Sequence, residues 1–285
     1  MVTILALIAA ALYGTADFLG GAASRHAKPL AVLAITSPAG AVVMLAAAAA
    51  TGTGWTGMTA ASAGWAMAGG VAGSAGLITF YAGFVAAPMS VVSPVTALVA
   101  TVLPVGVAVA QGEHPSLAVG AGAAICVAAV ICVSLEPGKT AKKAGRLRAL
   151  MYAVPAGVSF GLYFLFLREA GASGVIWPVT VARVTGTLAA LACCLAIRMR
   201  PLGWRPDRAL FGIALASGAL DAAANVAYVL ATRAGLFGLA VVITSLYPGI
   251  TVLLARFVFG ERMRWVQRAG LILAGIGVAL VTVQR

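Results

Sequence analysis

The amino-acid sequence predicts an all-α polytopic membrane protein, with ten transmembrane helices arranged as two inverted repeats of five helices. Three observations support this fold class. The chain of 285 residues is 62% hydrophobic and 9% charged, whereas soluble domains carry about 25% charged residues. Ten apolar stretches follow one another, each close to the ~20 residues that cross a bilayer core. The two halves of the chain also share a spaced pattern of residues.

Short segments rich in glycine, proline or charged residues separate the ten predicted spans. The spans cover residues 2–21, 30–50, 64–87, 89–110, 117–135, 147–167, 175–197, 209–232, 236–259 and 265–283. The polar, Lys-rich segment 136–146 divides the chain into a first repeat, residues 1–135, and a second repeat, residues 147–285. Prolines inside the spans, among them Pro248, are tolerated in membrane helices and can kink or break them.

Basic residues are distributed unevenly among the connections between spans. Fifteen of the 19 lysines and arginines lie in one alternating set of connections or at the helix ends beside them. Cytoplasmic loops carry the excess of basic residues, so linker 136–146 is predicted to be cytoplasmic and both termini external, in a cell inner or plasma membrane. We assign the net charge of +12 to this topology and expect no nucleic-acid partner.

An internal repeat appears when the chain is compared with itself at a shift of 147 or 148 residues. The aligned pairs include Gly14 with Gly161, Tyr81 with Tyr228, Thr96 with Thr244, and Gly112-Glu113 with Gly260-Glu261. Because five spans is an odd number, the second copy is expected to enter the membrane in the opposite orientation. The repeat is therefore predicted to be inverted.

Two segments of the second half, PGITVLLARFVFGE at 248–261 and QRAGLILAGIG at 267–277, resemble the end of an EamA repeat of the drug/metabolite transporter superfamily. The segments YGTADF at 13–18 and FGLYF at 160–164 are similar to the first helix of that repeat. The resemblance implies ten helices around a central cavity, alternating access, and transport of small organic molecules, often efflux. The first half departs from the pattern at Ala100, where the second half has Pro248.

Polar residues inside the spans are candidates for the transport site, because charge at membrane depth is costly and usually faces a cavity or a partner. Tyr13 and Asp17 share one face of the first span at i, i+4 spacing. Asp221, Asn225 and Tyr228 form a polar stripe on the eighth span. Symmetry mates of an inverted repeat meet near the midplane, so spans one, three, six and eight are expected to line the cavity.

The candidate substrate-binding or coupling residues lie on these four spans, except Arg183, which lies on the seventh. They are Tyr13, Asp17, Ser74, Tyr81, Phe160, Tyr163, Phe164, Arg183, Asp221, Asn225 and Tyr228. Aromatic rings among them could attract a protonated amine or serve ordinary packing. Phe84, Trp177 and Tyr247 are further aromatic candidates, although Trp177 also fits an interfacial anchor.

Each charged candidate has a functional and a structural interpretation. Asp221 could bind a proton or cation, or it could pair with Arg183 for folding alone. Asp17 likewise has both a functional and a structural interpretation. Arg183 could bind a substrate carboxylate or serve as the partner of Asp221.

The leading functional hypothesis is a secondary active transporter that exports or exchanges a small polar metabolite, such as an amino acid, an amine or a related cation or zwitterion. The sequence has no Walker A motif, so a gradient, with a proton or a counter-substrate, is expected to drive transport. A passive facilitator is the alternative, and an intramembrane enzyme a remote one. The four cysteines lie in apolar stretches without ligand spacing, so neither a metal nor a cofactor is expected. The oligomeric state stays open.

Overall fold

The chain is described here from a computed structural model that covers residues 1–24, 26–52, 57–86, 89–112, 116–134, 143–196, 208–259 and 265–283. Eleven α-helices and no strand occur within these residues. The helices are α1 (Val2–Ser24), α2 (Pro29–Ala50), α3 (Ala60–Ala86), α4 (Met89–Ala110), α5 (Leu117–Ser134), α6 (Lys143–Ala170), α7 (Ile176–Ala196), α8 (Arg208–Arg233), α9 (Phe237–Thr244), α10 (Tyr247–Phe259) and α11 (Trp265–Val283). A 3-10 turn, Gly171–Ser173, follows α6.

Most helices begin and end within a few residues of the predicted spans. In the described part of the chain, six helices are long and apolar enough to cross a membrane, and shorter apolar helices accompany them. Residues 135–142 of the predicted linker region lie outside the described residues, and α6 begins at Lys143, before the expected start of the sixth span. The all-α fold class is therefore confirmed, whereas the ten-span layout stays a prediction.

The ninth predicted span, residues 236–259, is two helices rather than one. Helix α9 ends at Thr244 and α10 begins at Tyr247. Proline has no N–H, and its ring clashes with the carbonyl four residues earlier; for Pro248 that carbonyl belongs to Thr244. In the first half Ala100 stands at the matching position, and α4 runs unbroken. The proline that distinguishes the two repeats thus coincides with the break.

Close helix contacts recur at positions 147 residues apart. A Cβ atom added to Gly14 in α1 would lie 2.5 Å from the Tyr247 carbonyl oxygen in α10, and one added to Gly161 in α6 would lie 3.2 Å from the Ala100 carbonyl oxygen in α4. Gly161 matches Gly14 at the shift of 147, and Ala100 directly follows Val99, which matches Tyr247 at the shift of 148 that pairs Thr96 with Thr244. Helices α1 and α8 pack together as α6 and α3 do, and α5 packs against α11. These matched contacts support the predicted repeat.

Two further crossings bring helices of different halves close together. A Cβ atom on Gly40 in α2 would lie 2.9 Å from the Gly218 carbonyl oxygen in α8, and one on Gly186 in α7 would lie 2.9 Å from the Gly70 carbonyl oxygen in α3. Because backbone oxygens cannot move aside as a flexible side chain can, glycine permits these approaches. Helices α2, α3, α7 and α8 are thereby drawn in around the middle of the molecule.

Gly112 closes α4, and it belongs to the Gly-Glu pair that recurs in the second half. Its φ of 86° lies in the left-handed region that favours glycine, and its amide donates to the Val109 carbonyl at 3.0 Å. Glu113 and the matching pair Gly260-Glu261 lie outside the described residues.

Candidate functional site

A cavity with charged, polar and aromatic residues in its lining lies between the helices, with Tyr13 and Asp221 near the midpoints of α1 and α8. The volume of this cavity is about 70 Å³. Small and apolar residues form part of the lining, and polar or aromatic residues form the rest: Tyr13, Asp17, Ser37, Ser74, Phe160, Tyr163, Phe164, Arg183, Thr187, Asp221 and Tyr247. A second cavity of about 20 Å³ shares Asp17, Ser37, Arg183 and Asp221 and adds Tyr81 and Ser217.

Arg183 and Asp221 form an ion pair across α7 and α8. The Arg183 Nη1 atom contacts the Asp221 Oδ2 atom, and the two side chains are 12% and 25% exposed. The Nη2 atom also donates to the Asp221 main-chain oxygen at 3.3 Å. Both terminal nitrogens of the guanidinium therefore contact Asp221. The pairing interpretation of these two residues matches the observed contacts.

Asn225 joins this pair to two tyrosines. Its side-chain oxygen accepts a hydrogen bond from the Tyr13 hydroxyl at 2.6 Å and another from the Tyr163 hydroxyl. Its side-chain nitrogen donates to the Asp221 main-chain oxygen at 2.6 Å. Asn225 is fully buried, so this network satisfies its amide and ties α1, α6 and α8 together behind the cavity.

Asp17 is the other carboxylate of the site, and its surroundings differ. It is partly buried and lines both cavities. Among the described residues, Arg183 pairs with Asp221 and not with Asp17. The Asp17 carboxylate is thus the acid that faces the cavity without a basic partner in the described part of the chain.

Aromatic rings form one side of the cavity. The Phe164 ring centroid lies 6.0 Å from that of Tyr13, 5.8 Å from Tyr163 and 4.8 Å from Tyr228. Tyr228 is fully buried, and its hydroxyl donates to the Phe164 main-chain oxygen at 3.1 Å. Ring packing and this hydrogen bond fix the orientation of the aromatic side chains that line the cavity.

Most of the predicted site residues do come together. Eight of them line the larger cavity: Tyr13, Asp17, Ser74, Phe160, Tyr163, Phe164, Arg183 and Asp221. Tyr81 lines the smaller one. Asn225 and Tyr228 differ from the expectation that they point inward, because their polar atoms are bonded to Tyr13, Tyr163 and Phe164 behind the lining.

The lining also includes residues and helices that the sequence analysis did not select. Ser37 in α2 and Tyr247 in α10 add two helices to those that carry the predicted candidates, and Thr187 joins Arg183 on α7. Thr187 could have been found from its i, i+4 spacing to Arg183, whereas nothing near Ser37 in the sequence marks it. Tyr247 was a candidate only as an aromatic residue. The side chain of Phe84 lies outside the described part of the chain.

The architecture and the cavity together define a class: an all-α membrane protein whose apolar helices enclose a small polar site. Residues 147–283 match the EamA-like transporter family. That family is part of the drug/metabolite transporter superfamily, and the match confirms the resemblance noted in the sequence over the second half of the chain. This match and the apolar helices support a multi-pass membrane protein of a transporter family.

Solved structures share the fold. Seventeen chains match; one of them, a protein solved by crystallography, superposes with a TM-score of 0.79 over 99% of this chain and 95% of its own, at 20% sequence identity. At 20% sequence identity, this structural similarity supports the fold alone. No curated protein matches the sequence. Among the described residues, no group of three or more His, Cys, Asp or Glu side chains could hold a metal ion.

Proposed function

We propose that the protein is a secondary active transporter that binds a small cationic or zwitterionic metabolite in the central cavity and exposes it alternately to the two sides of the membrane. The observation that carries this proposal is that one of the two acidic residues has a basic partner and the other has none among the described residues. Asp221 is neutralised by Arg183, whereas Asp17 faces the same cavity without a basic partner among the described residues.

The charges of the site favour a positively charged ligand. Arg183 and Asp221 cancel each other, so an ionised Asp17 leaves the cavity with one net negative charge. An unpaired charge at membrane depth is costly, and a cation or a proton removes that cost. The rings of Tyr13, Phe164 and Tyr247 beside the cavity can add to the attraction for an ammonium group.

We propose that Asp17, rather than Asp221, has the coupling role. If a proton and the cationic end of the substrate compete for the Asp17 carboxylate, each releases the other, and a proton gradient can drive exchange. Cation binding then weakens as the pH falls, because protonated Asp17 no longer attracts the ligand. Asp221 serves to hold Arg183 and the Asn225 network in place.

The proposed transport cycle uses the inverted repeat. Two five-helix copies of opposite orientation, ten spans in all, would rock about the midplane site to open it to either face. The matched contacts of Gly14 and Gly161 support such a repeat. With both termini external, we propose export or exchange across the inner or plasma membrane as the physiological direction.

A thermal-shift screen of the purified protein tests ligand class, because a ligand that binds only the folded state raises its melting temperature. The probes are amino acids, polyamines, choline-like amines, sugars and nucleosides. We expect shifts with amines and zwitterions and none with sugars or nucleosides. Asp17→Asn, which keeps size and hydrogen bonding but not charge, should abolish the shift. A response to sugars alone that survives Asp17→Asn would contradict the proposal.

Proteoliposome transport of the ligands found in the screen then separates active transport from the facilitator alternative. Exchange driven by a pH gradient is expected in the wild type and should be absent in Asp17→Asn. Flux of the same ligand that ignores the pH gradient in both proteins would favour a passive facilitator.

A further inference from the structure

The hydroxyls of helical serines and threonines often donate a hydrogen bond to a carbonyl of the preceding turn. Thr180 in α7 follows this habit, since its hydroxyl donates to the Ile176 carbonyl at 2.7 Å. Ser74 in α3 and Thr187 in α7 do not: both are more than 90% buried, and neither hydroxyl has a hydrogen-bond partner among the described residues. Both residues line the central cavity.

Arg183 provides a third unused donor at the same place. Its Nη1 and Nη2 atoms are committed to Asp221, while its Nε atom is buried and has no partner in the described part of the chain. An Nε–H group can only donate. The three groups therefore share one unmet requirement, which is an acceptor atom in the cavity.

The helix packing explains why these donors are neighbours. Arg183 and Thr187 lie one turn apart on the same face of α7. The close crossing of α3 and α7 at Gly70 and Gly186 brings in Ser74, one turn beyond Gly70. Donors from two helices thus line the same cavity as Asp17 of α1.

We propose that Ser74, Thr187 and the Nε edge of Arg183 form a subsite for an acceptor oxygen of the substrate. The substrate would then be an amine that also carries a carbonyl or carboxylate oxygen, its ammonium group at Asp17 and its oxygen at this subsite. This inference rests on the proposed function and narrows its ligand class. Because Asp221 already neutralises Arg183, the subsite can accept a neutral carbonyl as well as a carboxylate.

The test is calorimetric titration of the purified protein with three ligands that share a protonated amine: propylamine, 3-aminopropanamide and 3-aminopropanoate, with the two-carbon and four-carbon analogues. Hydrogen bonds to one added acceptor should lower the dissociation constant of the amide or the carboxylate at least about tenfold relative to the amine. Tighter binding of the carboxylate alone identifies a carboxylate subsite, and equal gains identify a carbonyl subsite.

Two variants assign the gain to the proposed residues. Ser74→Ala/Thr187→Val leaves the Nε donor of Arg183 in place and should reduce the preference for the oxygen-bearing ligands by at least about threefold, whereas the control Thr180→Val should keep the tenfold preference. Equal binding of the three ligands by the wild type, or a preference that is unchanged in the double variant, would overturn the subsite. If the wild type binds the three ligands equally and Asp17→Asn binds none of them, the proposed function is supported and the subsite is not. Binding by none of the nine compounds would overturn the subsite too.

Discussion

At the scale of single residues, the account depends on two acids with different partners in one cavity. Spacing along the sequence identified Tyr13 with Asp17 and the stripe from Asp221 as polar faces, because i, i+4 periodicity follows directly from helix geometry. Which acid Arg183 would pair with could not be predicted. That choice depends on how α1, α7 and α8 are placed around the cavity, which the sequence of one helix does not specify.

Breaking the Arg183–Asp221 pair should destabilise the protein. Removing one partner leaves a buried charge uncompensated, so Asp221→Asn or Arg183→Met is expected to lower the free energy of unfolding by about 3 kcal/mol. The double variant Arg183→Met/Asp221→Leu, which removes both charges, should recover most of that loss. Reversible unfolding in detergent micelles measures the three values. Equal losses in the single and double variants would show that the pair contributes nothing through its charges.

At the scale of helices, charges and turn residues predicted the ends of most spans to within a few residues. The exception is the ninth span, where Pro248 signalled a possible break but hydropathy ran on through it. The lining by α2 and α10 was also not predictable, because close crossings at glycines such as Gly40 and Gly14 decide which faces reach the centre. Small residues are frequent in membrane helices, so a glycine alone does not reveal its contact.

The crossing of α3 and α7 should be intolerant of added volume. A methyl group on Gly186 would lie 2.9 Å from the Gly70 carbonyl oxygen, and a backbone atom cannot give way without moving the helix. Gly186→Ala is expected to cost about 1–3 kcal/mol. Gly212→Ala in α8 is the matched control, since nothing lies within 4 Å of its added Cβ; it should be neutral or stabilise by about 0.5–1 kcal/mol.

Thermal unfolding of both glycine variants gives this comparison directly. An unchanged melting temperature in Gly186→Ala would mean that α3 and α7 do not approach each other at this point, and the convergence of Ser74 with Thr187 would lose its basis.

At the scale of the whole molecule, charge asymmetry predicts how the protein sits in the membrane. In a background from which Cys126, Cys132, Cys193 and Cys194 have been removed, Ala141→Cys in the basic linker should be shielded from an impermeant maleimide in intact cells. Ala172→Cys, exposed between α6 and α7, should react, because the positive-inside rule places it on the external face. The reverse pattern of labelling would invert the topology.

Alternating access to one central site is the central claim, and labelling of a cysteine inside the cavity tests it without knowledge of the substrate. In the same cysteine-free background, Ser74→Cys places a thiol in the cavity lining, and Ala224→Cys, fully buried in the core, is the control. We expect an impermeant maleimide to modify Ser74→Cys both in intact cells and in inside-out vesicles, and to leave Ala224→Cys unmodified in both. Modification of Ser74→Cys from neither face, or from one face only, would contradict the account.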